Sequence, residues 1–202
     1  MLRNLLLITL LISISCIPAQ QNPYFTGCIE YENEYQNTAG ETMYYAVKPR
    51  NWFYVQGNNF KMYDRKKELQ ELYVGATNTL YHFEQGKAVL VADTARRAAP
   101  SSIKCLATTA TVLGYPCQML QLVRGDMSSL IFYSDAVRVR PADFSQHRSS
   151  GWYELLQATD GALPLRTISV NAQHGVTVTT EAIAVRPLAL AASDFTATAP
   201  AR

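Results

Sequence analysis

This chain of 202 residues has no large excess of either positive or negative charge. That balance excludes one class of partner. The sequence contains 18 Lys and Arg against 16 Asp and Glu. This balance gives the protein no strong basic field with which to gather nucleic acid or an anionic surface around it. Internal repeats of fixed period and heptads are also missing, which excludes a solenoid and a coiled coil.

Sequence motifs for catalysis and metal binding are missing as well. No nucleophile elbow, phosphate-binding loop, paired-carboxylate signature or Cys-x-x-Cys spacing occurs. The three histidines, His82, His147 and His174, fall in different predicted elements without a second ligand at zinc-site spacing. An active site could then exist only as a constellation assembled in three dimensions. We expect a protein that is not an enzyme and that has no metal and no cofactor.

A transmembrane helix is not predicted, because the apolar run at the N-terminus is too short to span a bilayer. Residues 5–14 are mostly apolar and follow a single positive charge at Arg3, which is typical of an export signal peptide. Cleavage after Ala19 would release a secreted protein, whereas cleavage before Cys16 would leave a lipid-anchored N-terminus. We expect residues 1–19 to be a signal peptide and the protein to be exported, either periplasmic or outer-membrane-associated.

The remaining residues, 20–202, are expected to form one mainly β domain. In residues 25–35, apolar side chains fall on odd positions and polar ones on even positions. Since successive side chains of a strand point to opposite faces, this alternation predicts a half-buried strand. Its wet face would carry the acidic residues Glu30, Glu32 and Glu34. A sheet with one solvated face is ordinarily antiparallel, and turn residues separate further short strands downstream.

One stretch, residues 141–159, has helical character. Pro141 suits the first turn of a helix, and Trp152, Leu155 and Leu156 share a face at helical spacing. The C-terminal tail is a mixture of Ala, Thr and Pro and is expected to fray.

Three segments of this layout resemble a known group of proteins: residues 25–31 (FTGCIEY), residues 113–117 (LGYPC), and the closing pattern from residues 163–165 (LPL) to Phe195. They resemble small exported Gram-negative proteins of domain-of-unknown-function groups, the GLPGLI proteins among them, which are akin to the LolA/LolB lipoprotein carriers. The resemblance implies an antiparallel sheet curled into a half-barrel, with a short helical segment near its concave face and no established activity. The carriers hold acyl chains in that concavity, which implies a lipid, an acyl chain or another hydrophobic molecule as partner.

Aromatic residues concentrate in the first half of the chain. In a closed barrel they would be core, whereas in an open half-barrel some of them would line a groove for an apolar ligand. Both interpretations stay open at this stage. The candidate groove residues are Tyr45, Trp52, Tyr54, Phe60, Tyr81, Phe83 and, from the helical segment, Trp152.

Cysteines are few: Cys28, Cys105 and Cys117 remain after the signal. A disulfide between Cys105 and Cys117 would close a loop of about a dozen residues. A tight hairpin between them would place Cys117 opposite Val112, beyond bonding reach of Cys105. An irregular segment at residues 108–110 would remove this objection. We therefore expect this pair to be bonded, with Cys28 a free thiol on the wet face of the first strand.

Two roles remain for the mature protein. The first is an envelope protein that binds a hydrophobic ligand in a half-barrel groove. The second is a non-catalytic structural or interaction protein that docks another envelope component through a sheet edge or the acidic face of the first strand.

Overall fold

The computed structural model describes residues 23–43, 49–91, 102–148 and 151–196. The signal peptide, Cys16, Tyr45 and the tail after residue 196 lie outside these ranges, so what the sequence predicts for them stays a prediction. None of the helices within the described ranges has the length and apolar composition needed to cross a bilayer.

The described residues form eleven strands, one α-helix and three short 3₁₀ helices. The strands are β1 Gly27–Gln36, β2 Arg50–Gln56, β3 Asn59–Tyr63, β4 Leu69–Val74, β5 Thr79–Glu84, β6 Lys87–Val91, β7 Ser102–Val112, β8 Tyr115–Arg124, β9 Met127–Arg138, β10 Ala162–Asn171 and β11 Val176–Pro187. The α-helix, α1, is Trp152–Ala158, and the 3₁₀ helices are Gly75–Thr77, Pro141–Phe144 and Ala192–Phe195.

All eleven strands belong to one antiparallel sheet, in the order β6-β5-β4-β3-β2-β1-β11-β10-β9-β8-β7. The first strand pairs with the last, so β1 and β11 lie at the centre and two meanders extend from them to the edges. Among the described residues no ladder joins the edge strands β6 and β7, and the sheet is not closed into a barrel. The predicted fold class, a mainly β antiparallel sheet with a short helical segment, is confirmed.

The larger of two buried hydrophobic clusters includes residues from the face of the sheet that we call the inner face. Ile29 of β1, Val55 of β2 and Phe60 of β3 project from it and pack with Phe144 and Leu156. Phe144 comes from the 3₁₀ helix Pro141–Phe144 and Leu156 from α1. The helical segment therefore covers the inner face, as the family resemblance implies, although its regular helix is confined to Trp152–Ala158.

Both ends of α1 are fixed by local contacts. Gly151, just before the helix, has a φ of 72°, a left-handed conformation that glycine adopts at little cost. A Cβ at this position would also collide with the guanidinium of Arg124. At the other end, the buried Thr159 hydroxyl lies within hydrogen-bond distance of the carbonyl oxygens of Leu155 and Ala162, at 3.1 and 2.8 Å.

The outer face of β1 differs from the wet face that the alternation predicts. Cys28 is only 2% exposed and Glu30 only 7%. Long side chains from both neighbouring strands cover them: Arg50 of β2 lies 3.4 Å from the Glu30 carboxylate, and Arg186 of β11 lies 2.8 Å from it. Arg50 also reaches Glu32, at 3.3 Å. A central strand has a neighbouring strand on each side. Its own alternating pattern does not predict which side chains of those neighbours will cover it.

The predicted disulfide between Cys105 and Cys117 is wrong. In the β7–β8 ladder Cys105 lies opposite Leu120 and Cys117 lies opposite Ala110. An irregularity between Leu106 and Ala110 does occur, but Cys117 is still offset by three positions along β8 from Leu120, the residue opposite Cys105. That separation is roughly 10 Å at 3.3 Å per residue, too far for a disulfide. Within the described chain all three cysteines are free.

Candidate functional site

A cavity of about 510 Å³ lies on the inner face of the sheet. This volume is within the range of sites that bind small molecules, about 300–1,000 Å³. Most of the lining is apolar or aromatic, and it consists of Tyr31, Phe53, Phe60, Met62, Leu80, Val91, Trp152 and Pro164. The polar residues of the lining are Asn51, Glu71, His82, His147, Thr167 and Thr180.

The lining shows that the sheet is strongly curled. Val91 of β6 and Thr167 of β10 line the same cavity, although seven strand spacings separate β6 from β10 in the sheet order. In a flat sheet these strands would be roughly 34 Å apart, at about 4.8 Å per spacing. A cavity of about 510 Å³ is far narrower than that. The sheet must therefore bend around the cavity, which is the half-barrel that the family resemblance implies.

Two rows of cross-strand pairs build the wall of the cavity, because directly opposed residues of a sheet share a face. The first row runs from β2 to β5 through Phe53, Met62, Glu71 and His82. The second row runs from β2 to β6 through Val55, Phe60, Tyr73, Leu80 and Val91, and Phe60, Leu80 and Val91 of this row line the cavity. The second row is apolar apart from one phenol, and the first row changes from apolar to ionisable towards the sheet edge.

Aromatic rings form the centre of this wall. The rings of Phe53 and Phe60 lie 5.5 Å apart between centroids. Trp152 of α1 reaches across to both, at 5.9 Å from Phe53 and 6.1 Å from Phe60. Aromatic rings at such separations attract one another, which favours a fixed arrangement of the three side chains. The helix α1 thus contributes one of the three aromatic rings that line this part of the cavity.

Of the candidate groove residues named from the sequence, Phe60 and Trp152 line the cavity. Trp52 and Tyr54 flank Phe53 along β2 and therefore project from the outer face. There the Lys67 ammonium lies 2.9 Å from the Trp52 ring centroid, and Tyr54 packs edge-on against Tyr63 at 5.7 Å.

Tyr81 and Phe83 also lie away from the cavity. They alternate along β5 with Leu80 and His82, which line it, so their side chains leave the sheet on the outer face. The placement of Tyr45 lies outside the described residues. Aromatic residue type identified Trp52, Tyr54, Tyr81 and Phe83 as candidates, but it does not report which face of the sheet a side chain occupies.

Phe53 and Met62 line the cavity but are not among the candidates named from the sequence. Ile29 on the apolar face of β1 pairs with Phe53, and Phe53 pairs with Met62. The tight turn at residues 57–58 fixes the pairing of Phe53 with Met62, whereas the pairing of Ile29 with Phe53 follows a connection of 13 residues and is not fixed by a turn. His147 carried no such signal, because it comes from an irregular segment between the 3₁₀ helix Pro141–Phe144 and α1.

His147 is the most deeply buried ionisable side chain of the site, at 1% exposure. Its ring stacks on Tyr73, with centroids 4.4 Å apart and planes inclined by 25°. Burial lowers the pKa of His147 to about 4, although the Glu154 carboxylate acts in the opposite direction. The imidazole is consequently neutral at neutral pH, and its Nδ1 finds no hydrogen-bond partner among the described residues.

Glu71 and His82 form a second polar group at the edge of the cavity. The His82 Nδ1 and a Glu71 carboxylate oxygen are 3.3 Å apart, and both side chains are partly exposed. Burial raises the pKa of the Glu71 carboxyl, while His82 acts to lower it. In the described parts of the chain, no three His, Cys, Asp or Glu side chains are grouped so that they could hold a metal ion.

Comparison with known proteins gives matches at the level of structure. No family model matches the sequence, and no curated protein matches it significantly. The structure of PNGF-II in a C2 crystal form matches with a TM-score of 0.50 and 16% identity, over 84% of this chain and 29% of that chain. MucB matches with a TM-score of 0.38 and 11% identity, over 86% of this chain and 58% of MucB.

A domain from Vibrio parahaemolyticus, provisionally described as an outer membrane lipoprotein-sorting protein domain, has a TM-score of 0.36 and 10% identity, over 87% of this chain and 90% of that one. Identities this low show similarity of fold alone. This chain spans less than a third of the PNGF-II chain that it matches. The structural neighbours thus include a lipoprotein-sorting domain, and the grouping with GLPGLI proteins stays a prediction.

Proposed function

We propose that this protein is exported to the cell envelope and holds a lipid, an acyl chain or another hydrophobic molecule in the inner-face cavity, without a catalytic step. The observation that carries the proposal is the cavity itself: about 510 Å³ of space, walled largely by apolar and aromatic side chains. The core beside it is filled, with Ile29, Val55 and Leu156 all fully buried. A cavity with apolar walls gains free energy when it takes up hydrocarbon from water.

The energetic gain per methylene predicts how affinity depends on chain length. Each buried CH₂ contributes about 0.8 kcal/mol, which corresponds to roughly a fourfold change in Kd. For saturated fatty-acid methyl esters from octanoate to palmitate, we expect Kd to fall by about this factor per methylene until the cavity is filled, and then to level off. Displacement of a neutral fluorescent dye such as Nile red measures the series.

A series without chain-length dependence would contradict the proposal. Native mass spectrometry of protein purified from envelope extracts provides an independent check, because a bound lipid should appear as added mass. A clean apo mass, combined with no uptake of the esters, would favour the alternative role as a structural or interaction protein.

The acidic face of β1 gives little support to that alternative. Glu30 and Glu32 are both paired with Arg50, and Glu30 also with Arg186. At Glu30 and Glu32, a partner that recognised negative charge would meet carboxylates that are already paired with arginine. The edge strands β6 and β7 remain as docking positions for a partner protein.

The intact mass of the mature protein tests the export part of the proposal. We expect a mass that lacks residues 1–19, since small residues at the end of an apolar run are typical of signal-peptide cleavage. A mass that begins at Cys16 and includes acyl chains would show a lipid anchor instead. The mass of the full 202-residue chain, recovered from an envelope fraction, would contradict cleavage at either position.

A further inference from the structure

The two edges of the sheet are built differently. Bulges and lysines are common means by which proteins keep an edge strand from pairing with another chain. The edge strand β7 carries Lys104, and its ladder with β8 is interrupted between Leu106 and Ala110. The edge strand β6 pairs regularly with β5 from end to end, and its one lysine, Lys87, is its first residue. Among the described residues no strand pairs with the outer side of β6, which is thus the less protected edge.

Apolar side chains are exposed along β6. Val89 is 45% exposed, and Leu90, at 61%, is the most exposed large hydrophobic residue in the described part of the chain. On β5, Tyr81 lies opposite Leu90 and Phe83 lies opposite Ala88. Directly opposed residues share a face of the sheet, so these two pairs form an apolar patch on the outer face that ends at the sheet edge. A continuous exposed patch of this kind is typical of a contact surface.

The hairpin between β5 and β6 determines which backbone groups of β6 point outward. Its two loop residues, 85–86, have φ angles of 51° and 76°, as in the type I′ turn that closes a two-residue hairpin. The residues that flank such a turn, Glu84 and Lys87, form a hydrogen-bonded pair, and the pairs then alternate along the ladder between bonded and non-bonded. Ala88 and Leu90 therefore fall at non-bonded positions. Their N–H and C=O groups point away from β5, towards the open edge.

One antiparallel register lets a second copy of β6 satisfy all of these outward groups. When Val89 lies opposite Val89 of the other copy, Ala88 of each copy lies opposite Leu90 of the other, and each such pair exchanges two backbone hydrogen bonds. A small side chain then faces a large one on the outer face. A register shifted by two residues would pair Ala88 with Ala88 or Leu90 with Leu90 and leave the other residue opposite a position beyond the strand.

The charge of β6 is compatible with this pairing. Lys87 is the one charged residue of the strand, and it would lie opposite Val91 of the other copy. The two Lys87 residues would be offset by about 13 Å along the strands, at 3.3 Å per residue, which exceeds the Debye length of about 8 Å in physiological salt. The centre of the contact is uncharged, so it repels no second copy and presents no charge pattern that a different partner could recognise.

We propose that β6 is a docking surface for a second copy of this chain, with the two β6 strands paired antiparallel about Val89. This inference does not depend on the proposed function. The pairing would join the cavity walls of the two copies, because Val91 lines the cavity and the second strand continues the same inner face. Two five-residue strands make a smaller contact than permanent dimers have, so we expect a weak dimer with a Kd of about 10–100 μM.

Sedimentation velocity of the mature protein from about 1 μM to about 500 μM tests the proposal. We expect the sedimentation coefficient of the wild type to rise across this range towards that of a dimer. Val89→Lys places two ammonium groups directly opposite each other on the two-fold axis. It should raise the Kd of the dimer at least about 10-fold, because directly opposed like charges destabilise a strand pair.

The chain offers a matched control in Val170, a strand valine of β10 that is 44% exposed. Val170→Lys makes the identical substitution at the same exposure and should dimerise as the wild type does. Thermal unfolding of both variants checks that they fold.

A cysteine at the two-fold axis tests the register. Cys105 is an exposed free thiol, so Cys105→Ser serves as the background. In it, Val89→Cys should give a disulfide-linked dimer on oxidation, because Cα atoms of a non-bonded pair lie about 4.5 Å apart. Leu90→Cys in the same background should not, since the two positions 90 would be roughly 8 Å apart.

Three results would overturn the inference. The first is a wild type that stays monomeric over the whole concentration range, even if a photo-crosslinker at position 89 captures a different envelope protein in cells. The second is equal dimerisation of Val89→Lys and the wild type, which would place the contact elsewhere on the molecule. The third is faster disulfide formation by Leu90→Cys than by Val89→Cys, which would exclude the proposed register.

Discussion

Replacing Met62 by Glu should abolish most hydrophobic ligand binding and leave the fold intact. Met62 lies in the wall of the cavity between its cross-strand partners Phe53 and Glu71. A carboxylate at this position would have to lose hydration against a bound hydrocarbon, and it would sit beside the existing carboxylate of Glu71. Burying an unpaired charge costs several kcal/mol. We expect the Kd for palmitate methyl ester to rise at least about 100-fold, equivalent to roughly 2.7 kcal/mol.

The control for this variant is Met127→Glu, which makes the identical substitution on the other half of the sheet. Met127 begins β9 and is 46% exposed, and it does not line the cavity. Its variant should bind the ester as the wild type does. Equal binding by Met62→Glu and the wild type, with both proteins folded by circular dichroism, would show that the ligand lies elsewhere.

Met62 also shows how far the sequence alone could lead. Alternation along residues 25–35 correctly predicts an antiparallel sheet with an apolar face, because a period of two leaves few other structures open. The pairing of Phe53 with Met62 follows from the register of the tight β2–β3 hairpin, whereas the pairing of Ile29 with Phe53 spans a longer connection. Residue type was a poorer guide, since Trp52, Tyr54, Tyr81 and Phe83 are aromatic yet face away from the cavity. Which face a side chain occupies depends on its register, and aromatic character does not report it.

Other features could not be predicted because they depend on contacts between distant parts of the chain. The carboxylate of Glu30 is buried by Arg50 and by Arg186, the second of which lies at the far end of the sequence. His147 reaches the cavity only because the segment before α1 packs against Tyr73 of β4. The predicted disulfide is wrong for a related reason. The distance between Cys105 and Cys117 depends on how an irregular stretch of β7 aligns with β8. Local sequence patterns carry no information on contacts between residues that are far apart in the chain.

His147 leads to the second large effect, a loss of stability on acidification. Burial lowers the pKa of His147 to about 4, against 6.5 for an unperturbed histidine. Well above pH 6.5 the imidazole is neutral in the folded and unfolded states alike, so its contribution to the free energy of unfolding does not vary with pH. As the pH falls below 6.5, the unfolded state binds a proton that the folded state does not, and the free energy of unfolding decreases. The decrease should approach about 3 kcal/mol near pH 4, at 1.36 kcal/mol for each pH unit between the two pKa values.

The variant His147→Phe isolates this contribution, because it keeps the ring that stacks on Tyr73 and removes the titrating group. The Glu71 carboxyl requires this comparison, since burial raises its pKa. The folded state therefore keeps the Glu71 proton to higher pH than the unfolded state does, and the Glu71 contribution favours folding as the pH falls. It acts in wild type and variant alike and cancels in their difference. Urea unfolding of both proteins from pH 7 to pH 4 measures that difference.

We expect the wild type to lose stability relative to His147→Phe throughout this interval, with most of the change between about pH 6 and pH 4.5. A constant difference would mean that His147 takes up its proton in the folded state at its ordinary pKa. The imidazole would then be cationic in mildly acidic solution, and the cavity could accept a carboxylate ligand beside it. The same titration therefore tests both the burial of His147 and the chemical class of molecule that the cavity can accept.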